Sequence, residues 1–219
     1  MFGQLKVRNS FKCEQFSVKK GKDFYKYKRG KKEVKIAGKS LVLNILPLAP
    51  VNLPEKITEF FSVSFPKIHI SPRGKVIVFL KVPLEVGIFL EGELIDVFGF
   101  AKEEFSLYGP VDGGIITRQV EGEEVSDKIK GDGESLIIPL RIKNYTGEVK
   151  TISKLILDTK FLDIYYKKKQ VAVEMVKLDI RELPRVRYLN KSYFKGMEKK
   201  KAKRQILKKE DIVEMKWGV

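Results

Sequence analysis

The sequence predicts a mainly β protein: an antiparallel β-sandwich or a pair of β lobes, with a short basic C-terminal helix. Three observations carry this. Short runs rich in Val, Ile, Phe and Tyr recur between Gly, Pro, Asn and Asp, the spacing of strands and turns. Apolar and polar residues alternate within several of these runs, which is the period of a strand with one covered face. From Ser192 onward the composition turns to Lys, Met, Ala, Gln and Leu, which favour helix.

The elements follow in order. "DFYKYKRGKKEVKIA" (23–37) reads as a hairpin turning at Arg29-Gly30, and "LVLNILPL" (41–48) as a further strand. "APVNLP" (49–54) is a proline-marked connection. In "ITEFFSVSF" (57–65) the alternation of Phe61, Val63 and Phe65 places a strand from Phe60. "HISPRGKVIVFLKVPLEVGIFLEG" gives a turn at Pro72-Arg73-Gly74 and two buried strands. Lys81, Pro83 and Glu85 interrupt its apolar run, which is too short for a membrane span. "SLIIPLRIKNYTGEVKTISKLIL" (135–157) reads as a hairpin with Thr146-Gly147 at its tip, and "FLDIYYKKKQVAVEMVKLDI" (161–180) as another turning through 167–169. Ser192 is a fitting N-cap for the C-terminal helix. The ending "DIVEMKW" is either a short strand or an apolar docking segment.

This divides the chain into a β-rich body, 1–180, and a basic extension, 181–219. A possible lobe boundary lies near 119–135, where "QVEGEEVSDKIKGDGES" has almost no core-forming residues.

The charge is segregated. Residues 1–39 hold 13 Lys or Arg against 3 Asp or Glu, residues 40–180 hold 18 against 20, and residues 181–219 hold 13 against 5. A net charge of +16 is thus confined to the two ends of the chain. Abundant Lys and Glu with scarce Gln and Asn point to a heat-loving source. Ion-pair networks need acids beside bases, however, so the excess calls for a polyanionic partner.

On the strand around residues 24–28, Tyr25 and Tyr27 share one face and Lys26 and Lys28 the other. The tyrosines are read as core, the alternative being stacking on unpaired bases. One candidate phosphate-binding set is Lys26, Lys28, Arg29, Lys31 and Lys32. The other is Lys199, Lys200, Lys201, Lys203, Arg204, Lys208 and Lys209. The expected function is a non-enzymatic RNA-binding factor, associated with the ribosome, whose affinity comes from counterion release. DNA in place of RNA, a solvated tail and an anionic membrane surface are the alternatives. A protein-interaction module is another, with a homodimer formed through Val213, Met215 and Trp217.

Other chemistry is thin. Cys13 is the single cysteine and His69 the single histidine, so a disulfide within the chain is excluded and a Cys/His zinc site lacks ligands. No catalytic residue, metal or cofactor is expected. "MFGQLKVRNS" has no apolar leader core, so a cytoplasmic protein is expected. The acids at Glu121, Glu123, Glu124, Asp127, Asp132 and Glu134 match no EF-hand spacing. "LYGPVDGGIITR" (107–118) lacks the Walker ending. It reads as a constrained turn, the alternative being a backbone nest for an anion helped by Arg118.

The string "IDVFGFAKEEFSLYGPVDGGIITR" (95–118), followed by "RIKNYTGEVKTISKLIL", resembles an archaeal protein family of unassigned function across residues 40–180. The resemblance implies an archaeal source and assigns no residue a role.

Overall fold

A computed structural model describes residues 2–200 and 212–217. The mainly β expectation holds: every regular element among the described residues is a strand. No helix among them is long and apolar enough to cross a membrane. The chain forms two units, one of 2–46 with 87–96, the other of 47–86 with 97–219.

The smaller unit holds two four-stranded sheets. One has the order β1 (Gly3–Val7), β6 (Leu41–Leu48), β9 (Glu85–Leu90), β10 (Glu93–Gly99), and its last three strands carry the chain across the unit boundary. The other is an antiparallel meander of β2 (Ser10–Lys12), β3 (Ser17–Lys20), β4 (Phe24–Arg29) and β5 (Lys32–Ala37). Its buried face carries Val18, Tyr25, Tyr27 and Ile36, with Phe16 stacked 5.3 Å from Tyr27. The tyrosines are therefore core, as read from their alternation.

In the larger unit, β7 (Phe60–Ile70), β11 (Glu104–Tyr108), β12 (Ile115–Glu121) and β15 (Lys150–Asp158) form a sheet of order β11-β12-β7-β15. The main sheet runs β13 (Glu123–Val125), β8 (Lys75–Pro83), β14 (Ser135–Asn144), β17 (Gln170–Ile180), β16 (Ile164–Lys167), β19 (Glu198–Lys200). In addition, β18 (Arg185–Ser192) pairs with β17 and with β20 (Ile212–Glu214). The expected 161–180 hairpin is β16–β17, which turns tightly with Lys167 opposite Gln170.

Two expectations are overturned. Residues 135–157 are not a hairpin. β14 pairs with β8 and β17, whereas β15 pairs with β7 in the other sheet. The Asn144–Lys150 connection is an arch between sheets, and Ile70–Lys75 is another. The Asn144 side-chain amide ties them by donating to the carbonyls of Ile70 (3.2 Å), Ser71 (3.1 Å) and Glu148 (2.7 Å). β14 is covered on both faces, so its burial is nearly continuous rather than alternating.

The second correction concerns the C-terminal helix. Ser192 ends strand β18, and its hydroxyl donates to the Phe194 carbonyl instead of capping a helix. Residues 198–200 pair with β16. Between these strands Gly196 takes a left-handed φ of +69°, and Phe194 and Met197 pack over Phe79, Ile137 and Ala172. An open sheet edge and an uncovered apolar face outweigh helix propensities of a few tenths of a kcal/mol, roughly, per residue. Residues 201–211 lie outside the described residues.

The acidic stretch 119–135 lies wholly within the larger unit, where it carries the chain from one sheet to the other. Gly122 is the crossing point: a Cβ there would sit 2.7 Å from Val63 Cγ1 and 3.5 Å from Val82 Cγ1.

Candidate nucleic-acid interface

The meander β2–β5 has one covered face and one exposed face, and its register decides what the exposed face carries. Lys26 lies directly opposite Lys19 on one side and Lys35 on the other. In the next row Lys28 lies opposite Ser17 and Glu33, and Ser17 lies opposite Lys12. Lys12, Lys19, Lys26, Lys28 and Lys35 thus share one exposed face. At a strand spacing of about 4.8 Å, the Lys19–Lys26–Lys35 row spans about 10 Å. Like charges directly opposite one another destabilise a sheet.

Glu33 is the one acid within these four strands, and it binds Lys26 (Nζ–Oε1 2.7 Å). That hydrogen bond holds the Glu33 carboxyl below its ordinary range. Phe24 shares the same face, half-buried, with the Lys35 ammonium 5.4 Å from its ring centre. The smaller unit as a whole carries 13 Lys or Arg against 6 Asp or Glu.

The predicted residues divide between this face and a buried cluster. Lys26 and Lys28 are on the face, and Lys31 is exposed in the β4–β5 turn beside Gly30, whose φ is +54°. Arg29 and Lys32 instead converge on Asp96 of β10. Asp96 is buried and accepts hydrogen bonds from Arg29 Nε (2.6 Å) and Nη2 (3.0 Å), Lys32 Nζ (2.8 Å) and the Tyr27 hydroxyl (2.6 Å). Burial opposes ionisation of Asp96, but these hydrogen bonds outweigh it and hold the carboxyl well below the usual carboxylate range. Burial and the bond to Asp96 push the Tyr27 hydroxyl up, and the same carboxylate raises Arg29. The cluster ties the β4–β5 tip to β10 and positions the sheet behind the lysine face.

Sequence reasoning missed Lys12, Lys19 and Lys35. The alternation in "SVKK" and "KEVKIA" gives the face of each residue, but pairing across strands needs the register.

The second predicted set is only partly within view. Lys199 binds the buried carboxylate of Asp163 (2.5 Å). Lys200 turns inward and donates to the Pro47 carbonyl (3.2 Å). Burial, helped by repulsion from Lys56, lowers the Lys200 ammonium to about 8. Both residues act in the fold. Lys201, Lys203, Arg204, Lys208 and Lys209 lie outside the described residues.

The segment expected to form a dimer surface packs on its own chain. β20, which contains Val213, pairs with β18, and Met215 is fully buried. Trp217 stands edge-on to Tyr108, 5.3 Å between ring centres, and its backbone N–H donates to the Tyr108 hydroxyl. Gly109, at φ +106°, makes room for it: a Cβ there would lie 2.6 Å from the indole.

The remaining candidates resolve into structure. Gly113 and Gly114 N–H both donate to the Pro110 carbonyl, so "GPVDGG" closes on itself as a turn and these two glycine amides are occupied. Arg118 lies on β12, wholly buried over the Phe105 ring (5.2 Å), with Nε, Nη1 and Nη2 lacking hydrogen-bond partners. Glu85, also fully buried, accepts from the Asn52 backbone N–H (2.9 Å), the Asn52 side-chain amide (2.8 Å) and the Leu53 backbone N–H (3.2 Å). Burial raises its carboxyl against these bonds and the charge of Arg118.

Glu121, Glu123 and Glu134 line an open cleft of about 420 Å³ with Lys81 and Phe100. Asp132 binds Lys81 (3.3 Å). Among the described residues no group of three or more His, Cys, Asp or Glu is placed to hold a metal ion. His69 hydrogen-bonds Thr151 (2.8 Å), and the Cys13 thiol donates to the Phe16 carbonyl.

No curated protein and no solved structure matches this chain. Residues 1–216 match the family described as "Protein of unknown function (DUF432)", and the chain belongs to that family.

Proposed function

We propose that the chain is a non-enzymatic RNA-binding protein that grips the phosphate backbone along the exposed face of β2–β5. The observation that carries this is the directly opposed row Lys19–Lys26–Lys35. A sheet selected only for stability would interleave acids there, because opposite charges across strands stabilise and like charges do not. An ordered row of ammonium groups on a rigid sheet lets several phosphates bind at once and release their counterions. Affinity is then dominated by phosphate contacts and sequence preference is weak. A strand face suits RNA, which is read largely by shape and unpaired bases, better than it suits the major groove of DNA.

The setting proposed with it is a ribosome-associated factor in the cytoplasm of a thermophilic archaeon: the Lys- and Glu-rich composition supports the heat-loving source, the family resemblance the archaeal one, and the basic ends of the chain the ribosome. If all five face lysines engage phosphates, log K falls against log salt with a slope of about −3.5 for a single strand and about −4.5 for a duplex. The test is fluorescence anisotropy with an RNA oligonucleotide across a salt series, comparing the natural chain with a Lys19→Gln/Lys26→Gln/Lys35→Gln variant. The expected result is weaker binding at low salt and a slope shallower by about 2. Equal affinity and slope in the two proteins would sink the reading.

A further inference from the structure

Resting on that reading, we infer that the β2–β5 face takes a single strand rather than a duplex, with Phe24 as the platform for one unpaired base. Phe24 is the aromatic residue on the lysine side of the sheet; Tyr25 and Tyr27 are buried on the other side, where Phe11 stacks with Phe16. Its neighbours across the strands are the two smallest available. Ala37 is its register partner on β5, and the Gly21 N–H donates to the Phe24 carbonyl on the other side. A Cβ at Gly21 would lie 3.3 Å from ring atom Cζ, so the glycine keeps clear the space into which the ring leans.

The row containing the ring is therefore Gly21–Phe24–Ala37, and the next row on the same face is Lys19–Lys26–Lys35. Two residues along a strand are about 7 Å apart, so an aromatic surface lies directly beside the phosphate-binding row. The Lys35 ammonium already approaches the ring and is placed to contact a phosphate attached to a nucleotide stacked there.

That arrangement separates the two forms of RNA. In a duplex the bases are stacked on one another, so a flat sheet meets only the backbone and the ring contributes nothing. A single strand offers a base face as well as its phosphates, the combination used by stacking platforms on β-sheets. With one ring on the face, one base is held, and any base serves because each has a π-face.

The experiment uses the full chain and three labelled probes of equal length: single-stranded poly(U), an RNA duplex, and single-stranded poly(dT) to separate RNA from DNA. Phe24→Leu keeps the apolar bulk without the π-face, and Phe24→Tyr restores the ring. The expected result is a preference of the natural chain for poly(U) over the duplex. Phe24→Leu should bind poly(U) about 5- to 150-fold more weakly, from a stacking contribution of this size. Its duplex affinity and salt slope should be unchanged, and Phe24→Tyr should recover poly(U) binding. Equal binding of poly(U) and duplex, or equal loss on both with Phe24→Leu, overturns the inference. Neither outcome touches the lysine reading, which fails separately if the triple-lysine variant keeps its salt slope. Tighter binding of poly(dT) than poly(U) would overturn RNA as the natural strand.

Discussion

The lysine row makes a prediction that sets stability against function, and Lys19→Glu is the change that exposes it. Lys19 faces Lys26 directly and Lys28 diagonally, with Ser10 on its other side. Replacing it with Glu removes one directly opposed like-charge pair and creates one opposite-charge pair. Each such pair is worth about 0.2–1 kcal/mol in a sheet. The two changes together stabilise by about 0.4–2 kcal/mol at low ionic strength. Two effects reduce that figure: Lys26 already binds Glu33, so the new carboxylate shares a partner, and exposed pairs are screened by salt. The expected net gain is about 0.5 kcal/mol in low salt, shrinking toward zero at about 1 M salt, where the Debye length is about 3 Å. RNA binding moves the other way: two units of charge are lost from the middle of the face, and the salt slope becomes shallower by at least about 0.7. Urea denaturation at two salt concentrations reads the first effect, and anisotropy titration reads the second. A variant that is less stable at low salt, or that binds RNA as before, would refute the claim that this row is held against its own repulsion for the sake of a polyanion.

Two further predictions address the buried charges. Asp96→Asn should destabilise the protein by about 2–3 kcal/mol at pH 7. That is below the usual 3–5 for breaking a fully buried pair, because the Arg29 and Lys32 side chains, 32% and 45% exposed, can rehydrate. The Asp96 carboxyl is depressed in the fold, so its contribution is complete above the ordinary carboxylate pKa of about 3.9 and is lost as pH falls below it toward the lower folded value. Urea titrations from pH 7 to pH 2.5 should show a steeper acid loss in the natural chain than in Asp96→Asn, and parallel curves would contradict the clamp. Arg118→Met should lower stability by about 1–3 kcal/mol, since it takes away the positive charge that helps hold the buried Glu85 carboxylate ionised, a loss reduced because the guanidinium makes no hydrogen bond to the protein. A comparable gain in thermal denaturation would show instead that burying the guanidinium costs more than its charge returns to Glu85.

The strands were largely legible because burial on one face imposes alternation, and the β4–β5 and β16–β17 turns because short loops favour pairing of neighbours. The arch at 144–150 was not. "NYTG" has the turn chemistry of a hairpin tip, and what separates β14 from β15 is competition for its edges by β8 and β17, which are distant in the chain. The helix expected from Ser192 failed for a related reason, since local propensity cannot register an open edge on β16. In the candidate site, the facing of Lys26 and Lys28 could be read from one strand. The withdrawal of Arg29 and Lys32 could not, because their partner Asp96 is 67 and 64 residues away.

The distinction between charge held inside the fold and charge left outside it is what narrows the site. Counting bases marks both ends of the chain as alike. The geometry divides them by partner: Asp96 holds Arg29 and Lys32, Asp163 holds Lys199, Asp179 holds Lys177 and Arg187, and Glu214 holds Arg185. In each case a carboxylate fixes a cation in place, and where that carboxylate is buried, as Asp96, Asp163 and Asp179 are, the cation is a poor phosphate ligand because binding would require breaking the pair. Lys12, Lys19, Lys26, Lys28 and Lys35 share a single acid among their four strands: Glu33 pairs with Lys26 at the exposed surface, where solvent and salt weaken the pair, and strand register sets the positions of all five. A scaffold that sets five cations against one acid bears most of their repulsion in the free state and is relieved of it when an anion arrives. On the reading proposed above, that relief is the reason a polyanion would bind along the β2–β5 face.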